Sequence, residues 1–440
     1  MTQQFRTQGL TRGATTLTFL LGIFMGALDH GIVGPALSSI MAAYDLEASW
    51  GVWNFTMYTL LFAVSIPVLG KLSDRFGRKQ TFAFGIAMFA CGSLVAAWAP
   101  NFAVFLVGRA LQAIGTGGIF PITAAQIAVT YPPERRGRMM GLIGMVFGLG
   151  TILGPVLGGL IVAQLAWQWI FLVNVPIAAI ILILTANVRQ EQQTAAKPVD
   201  LPGILVLTLL ILTVMLGITL QNVLLLACAV VIIPVLVLVE RRSSDPIMRA
   251  AYFTRARTLV LLLASSASGF VMASAMNLIP YYSETVLGMD KGDAGMSAAP
   301  LAAASVLASL AGGYMVDKAG AKRTLLLGFG IALAGTLALA IGTDGIGLFY
   351  LVSSVLGFGI GIVIGAPLNV LILQAVEVQE TGAAVGYVSL FRSFGSTMGP
   401  SIAGLLLAAY ESGFQTLFLI SAAVSGASMA LLILLRRNSQ

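Results

Sequence analysis

The sequence predicts an all-α integral membrane protein of fourteen transmembrane helices: two pseudo-symmetric six-helix bundles plus two inserted helices. Three observations carry that prediction. The chain is 58% hydrophobic and 9% charged over 440 residues, which leaves too little polar surface to cover a soluble body of this size. Apolar runs of about 20 residues, the length that crosses a hydrocarbon core as a helix, recur from end to end. Two glycine-rich patterns also occur twice, at nearly the same offset.

In chain order the runs fall at 15–40, 50–70, 80–98, 101–129, 138–163, 168–187, 201–220, 222–239, 258–282, 293–315, 323–342, 346–375, 381–409 and 413–435. The first exceeds a signal-peptide core and contains an acid, so it reads as an uncleaved span. Basic residues then sort by side. Of the 24 Lys and Arg, 21 fall in segments sharing the side of the N-terminus, Lys291 falls opposite, and Arg109 and Arg392 lie within spans. That asymmetry puts both termini in the cytoplasm and accounts for the basic excess without nucleic acid. Trp50, Trp53, Trp98, Trp167 and Trp169 fall at outer span ends, as interfacial anchors do; a substrate-stacking role is open for Trp53 alone. Cys91 and Cys228 sit inside apolar runs as small hydrophobes.

The stretch GKLSDRFGRK, Gly70–Lys79, ends the second span with Gly70, Asp74, Arg75, Gly77, Arg78 and Lys79. A shift of 243 reaches Gly313, Asp317, Gly320 and Lys322. Gly141, Gly150, Gly154, Pro155, Gly158 and Gly159 reappear, shifted by 245, as Gly386, Gly395, Gly399, Pro400, Ala403 and Gly404. Near-equal offsets indicate duplicated halves, giving residues 1–188 as one six-helix bundle, 189–257 as the inserted pair with its linkers, and 258–440 as the second bundle. The charged loops meet the face at which odd-numbered spans begin, so Asp74 and Asp317 would sit beside positive helix N-termini. Two readings follow: a conformational latch, or a plain topogenic loop, which explains the bases but not the paired acids.

These motifs resemble the major facilitator superfamily, in particular its fourteen-span drug:proton antiporter branch. GKLSDRFGRK is similar to the superfamily loop signature, GLIGMVFGLGTILGPVLGG to the fifth-span antiporter signature, GRALQAIGTGG to the fourth-span signature built on an Arg, and LDHGIVGPAL to the first-span signature of the branch. Departures are Ala113 in the fourth-span pattern and Gly31, Gly34 and Pro35 in the first. The resemblance implies proton-coupled export of drug-like, lipophilic or amphipathic compounds by alternating access in a bacterial cell membrane. A physiological lipid, siderophore or metabolite could be the cargo of the same machine, and a channel is the rival from another class. It also implies that Gly150, Gly154, Pro155, Gly158 and Gly159, with Gly399 and Pro400, belong to an antiporter seal between halves.

Ionisable groups inside spans are costly and mark function. Asp29 lies roughly 21 Å up its helix and Arg109 roughly 12 Å below the outer end of its own. In the superfamily fold both helices border the central cavity. Asp29 is thus a candidate coupling acid, able to trade its proton as the cavity opens to each side, with Arg109 as its counter-charge; a static ion pair is the alternative. The expected counterpart of Arg109 in the second half is Ser354, so the repeated fold does not demand the arginine. His30 follows Asp29 directly and, about 100° round the helix, cannot share its direction; its role is open. Arg392 fits a substrate or lipid-headgroup contact as well as a structural tie. Substrate contacts are expected among Asn54, Tyr58, Gln112, Asn277, Tyr281, Asn369 and Arg392, although half could simply join helices.

No phosphate loop of the G-x4-GK-[ST] type, no HExxH and no CxxC occurs. Neither a catalytic constellation nor a metal site nor any cofactor is expected; the energy source would be the proton gradient. The expected partners are a small-molecule substrate, protons and the lipid bilayer, without nucleic acid or an obligate protein partner.

Overall fold

The computed structural model describes residues 2–46, 53–188, 200–243, 246, 255–289, 296–343, 345–376, 381–410 and 412–434. Among them there are helices and no strands. In order they are α1 (Thr2–Ile32), α2 (Leu37–Ala43), α3 (Trp53–Phe76), α4 (Arg78–Ala97), α5 (Phe102–Gly117), α6 (Ile119–Thr130), α7 (Pro133–Gln164), α8 (Trp169–Leu172) and α9 (Asn174–Ala186). The inserted pair is α10 (Leu201–Thr219) and α11 (Val223–Arg242). There follow α12 (Ala256–Thr285), α13 (Ala299–Ala319), α14 (Ala321–Ile341), α15 (Ile346–Gly365), α16 (Pro367–Leu373), α17 (Thr381–Ala409) and α18 (Gly413–Leu434).

Among the described residues, thirteen helical segments are long and apolar enough to cross a membrane. The fourteenth expected span, α17, is formed over 29 residues, but Arg392 and a run of Ser, Thr and Gly make it more polar than the others. Local sequence explains where the helices stop and bend. Gly77 and Gly320 take φ of +91° and +89°, the left-handed region open to glycine, and so turn the chain tightly between α3 and α4 and between α13 and α14. Asn101 and Asn222 cap α5 and α11 through their side-chain oxygens. Past Ile32 the first span passes through a short 3-10 turn, Gly34–Ala36, before α2, because Pro35 supplies no amide donor. The fourth span of each half is interrupted, at Gly118 and at Ala366 before Pro367.

Contacts divide the chain into two units: Met1–Thr130 with Val146–Ile211 and Val378–Gly386, and Tyr131–Met145 with Leu212–Glu377 and Tyr387–Gln440. In the first, α4 and α5 touch through backbone. A methyl on Gly115 would lie 2.7 Å from Phe89 N, and one on Gly92 would lie 2.5 Å from Gln112 N. The second unit repeats this between α14 and α15, where Gly359 meets Ala332 N at 2.5 Å and Gly335 meets Leu356 N at 2.9 Å. Close approach of this kind replaces the hydrophobic drive that helices lose in lipid.

Candidate functional site

The deepest charges in the first unit sit on α1 and α5. Asp29 is fully enclosed and Arg109 is 2% exposed. Arg109 Nη1 donates to Asp29 Oδ2 at 3.0 Å and to Gln112 Oε1 at 2.6 Å. Gln112 Nε2 donates to Asp29 Oδ1 at 3.1 Å and to Ser93 Oγ at 2.8 Å. Asn174 Nδ2, from α9, adds a third donor to the carboxylate at 3.0 Å. Three donors from two helices, α5 and α9, therefore satisfy one acid, which is what allows an ion pair to persist in a dry interior.

Aromatic rings cover the cation. The Arg109 guanidinium lies 4.4 Å from the Tyr58 ring centroid and 5.7 Å from that of Phe171, positions in which a ring face attracts positive charge. The Tyr58 hydroxyl shares a 2.8 Å hydrogen bond with Thr116 Oγ1. His30 packs its ring edge against Tyr58, with centroids 5.7 Å apart. Unlike its neighbour Asp29, His30 is exposed, so the two side chains take opposite roles: one enclosed, one open.

α7 holds α1 in this position. Methyl groups on Gly150, Gly154 and Gly158 would run into the α1 backbone at Phe24, at Leu28 and Gly31, and at Ile32 respectively. That stripe lies directly behind Asp29. Gly159 has nothing within 4 Å and takes no part in it, because it points away from α1; Pro155 has its side chain outside those described. In the second unit Gly395 and Gly399 pack on Ser266 and Phe270 of α12 in the same way, while Pro400 is exposed.

The paired loop acids both reach helix starts. Asp74 accepts from the amides of Gly382 and Ala383 at 3.1 and 3.0 Å, in the first turn of α17. Arg78 Nη2 donates to Thr381 Oγ1 there at 3.3 Å, and a methyl on Gly70 would meet the Gly382 carbonyl at 2.8 Å. In the second unit Asp317 accepts from Gly137 and Arg138 at 2.7 and 2.9 Å, in the second turn of α7. Carboxylates at such termini are favoured by the unpaired amides and by the helix dipole. Lys79 works at the opposite pole: its Nζ donates to the carbonyls of Ala186 and Val188 at the end of α9, at 2.8 and 2.6 Å. Arg75 instead lies over the Phe76 ring at 5.0 Å.

The remaining expected contacts scatter. Asn54 is fully buried on α3, and neither amide atom has a partner among the described residues. Asn369, on α16 of the second unit, is 1% exposed and equally unpartnered. Gln112 is consumed by the ion-pair cluster. Arg392 is half-buried on α17, its carbonyl against Gly269. Asn277 and Tyr281 lie on α12 with their side chains outside those described, and Trp50 and Lys291 lie outside the described residues. Sequence reasoning missed Asn174 and Ser93; the signal for Asn174 was a lone amide in the apolar run WIFLVNVPIAAI.

Matching contacts also fix the internal register. Gly115 corresponds to Gly359 and Gln112 to Leu356, a shift of 244, so Arg109 corresponds to Ser353 rather than the expected Ser354. On the first helix of each half, Leu28 corresponds to Phe270 through Gly154 and Gly399, which pairs Asp29 with Val271. Val271 and Leu356 belong to one apolar core of the second unit.

Comparison with known proteins agrees with this architecture. A family model described as Major Facilitator Superfamily matches residues 19–400 and 261–440. The chain is 36% identical over 416 residues to the uncharacterized MFS-type transporter YfiU of Bacillus subtilis, covering 89% of this chain and 79% of that one. It is 32% identical to Multidrug resistance protein 3 of the same organism, covering 88% and 78%. Among solved structures, the human organic anion transporter MFSD10 superposes with a TM-score of 0.75 over 96% of this chain and 99% of that one, at 16% identity. With its many membrane-crossing helices, its duplicated halves and these matches, the chain belongs to the Major Facilitator Superfamily and is a multi-pass membrane transporter.

Proposed function

We propose that this transporter exports drug-like, lipophilic or amphipathic compounds in exchange for protons, by alternating access across a bacterial cell membrane with both termini cytoplasmic. Its domains would be the bundles 1–188 and 258–440, joined by the inserted pair 189–257. Relatives named for multidrug resistance support the cargo class. One observation carries the proton-coupled reading: a carboxylate fully enclosed by an arginine and two amides, at positions where the second half holds apolar and hydroxyl side chains.

Asp29 is the coupling acid in this mechanism. A proton delivered to its carboxylate would break the ion pair with Arg109 and the contacts from Gln112 and Asn174, so proton uptake is tied to rearrangement of the cluster. His30, exposed one residue away and leaning on Tyr58, marks the side from which protons reach the cluster. The unpartnered amides of Asn54 and Asn369 are available to cargo, and Asn277, Tyr281 and Arg392 complete the proposed set of cargo contacts. Asp74 and Asp317 latch helix starts in one state and release them in the other. The α7 glycine stripe keeps the outer half of the first span closed against leaks.

The test is counterflow in proteoliposomes under an imposed pH gradient, with a lipophilic cationic dye as cargo. Asp29→Asn is expected to remain folded and to lose uphill dye movement by at least tenfold. Full gradient-driven accumulation by that variant would sink the proposal.

A further inference from the structure

A second charged feature lies away from the buried cluster, within the second unit. Tyr314 of α13 is 43% exposed, and two cations lie over its ring: Lys318 Nζ at 4.8 Å and the Arg138 guanidinium at 5.5 Å. Arg138 belongs to the first turns of α7 and Lys318 to the last turn of α13. Among the described residues neither cation is paired with a carboxylate; the nearest acid in sequence, Asp317, spends both oxygens on the Gly137 and Arg138 amides. Two like charges are thus gathered at one ring with no anion between them.

The rest of the helix face says what sort of anion would sit there. Leu307, Leu310, Tyr314 and Lys318 follow at spacings of three, four and four, one stripe along α13. Leu307 and Leu310 are exposed, at 69% and 39%, as side chains against acyl chains are. The stripe therefore runs from hydrocarbon through an amphipathic ring to the Lys318 ammonium, with the Arg138 guanidinium beside it, the order of polarity found in passing from the acyl region to the headgroups.

We infer that Tyr314, Arg138 and Lys318 form a binding site for the headgroup of an anionic phospholipid. The acyl chains lie along Leu307 and Leu310, and the phosphate takes hydrogen bonds from Arg138 and Lys318. Placing this site in the inner leaflet rests on the proposed cytoplasmic location of the α7 start. The site is joined to the latch: the amide of Arg138 is one of the two that Asp317 holds, so a lipid gripping the Arg138 side chain stabilises the same helical turn.

The experiment uses the full chain in nanodiscs whose two leaflets are identical, so lipid reaches the site whichever way the protein faces. Native mass spectrometry then measures bound phosphatidylglycerol against phosphatidylcholine. Wild type is expected to retain phosphatidylglycerol preferentially, and Arg138→Gln with Lys318→Gln to weaken that retention by roughly tenfold or more, given about 1 kcal/mol per basic residue near anionic lipid. Arg323→Gln, an exposed base on α14 outside the site, should change it less than twofold. Tyr314→Leu should weaken it in between, and supplies the same readout should the double variant fail to fold. Inorganic phosphate at matched concentration should not displace the lipid. Equal retention of the two lipids by wild type, an Arg323→Gln effect as large as that of the double variant, or full displacement by phosphate would each overturn the site. Labelling of a Lys318→Cys variant in intact cells reports the orientation separately.

Discussion

The two halves share a backbone and differ in what they bury. In each, the third and fourth spans touch through glycines at matched positions, Gly115 with Phe89 and Gly359 with Ala332. In each, glycines of the fifth span lie on the backbone of the first. Yet the positions of Asp29, Arg109 and Gln112 in the first half correspond to Val271, Ser353 and Leu356 in the second, two of them in a plain apolar core. The scaffold is evidently stable without the ions. Burying a pair in a place where apolar residues suffice gains little stability and often costs some, so the charged cluster is best explained by use rather than by folding.

Substitutions can break or sharpen that contrast, and the largest effect should come from half-removal of the pair. Arg109→Met leaves Asp29 without its cation and should destabilise the folded protein by about 3–5 kcal/mol, read as a fall in thermal unfolding midpoint in detergent. Transplanting the second half's chemistry, Asp29→Val with Arg109→Ser and Gln112→Leu, should recover most of that loss while abolishing gradient-driven transport. A triple variant as unstable as the single one would mean that the halves are not interchangeable scaffolds.

The next effect tests what the halves share. Gly115→Val and Gly359→Val each force a side chain into backbone, and each should cost about 1–3 kcal/mol, matched to within about 1 kcal/mol by the same unfolding measurement. Within the first half, Gly154→Ala should cost about 1–2 kcal/mol because its methyl meets the α1 backbone at 2.8 Å, whereas Gly159→Ala meets nothing and should be neutral to within about 0.5 kcal/mol. The smallest effects belong to the loop acids. Asp74→Asn and Asp317→Asn should each lower stability by about 0.5–1 kcal/mol, since the amide keeps a hydrogen-bonding oxygen but loses the charge–dipole attraction; their added effects should be close to the double variant's.

Much of this was legible in the sequence, for physical reasons. Apolar run length announces spans because lipid leaves the backbone no partner but itself. The position of Asp74 and Asp317 beside helix starts followed from counting which spans begin at their face. The Asp29–Arg109 pairing was foreseeable from their similar depth together with the family resemblance, which puts both helices on the central cavity. Other features were hidden. The one-residue slip from Ser354 to Ser353 arises because each span slides slightly against its repeat, which no fixed offset captures. Asn174 escaped notice because a single amide in an apolar run gives no direction. Which of Asp29 and His30 would be enclosed depended on the rotation of α1, set by glycines more than a hundred residues away.

The glycine stripe on α7 has one more consequence. Because Gly150, Gly154 and Gly158 offer no side chain to trim, every substitution there adds bulk, and it lands on the stretch of α1 from Phe24 to Ile32 that carries the carboxylate. A saturation library selected for efflux should therefore return three blank columns spaced four apart, with the intervening outward-facing positions freely varied. The footprint of the buried carboxylate cluster would then be visible on a helix that contributes none of its atoms.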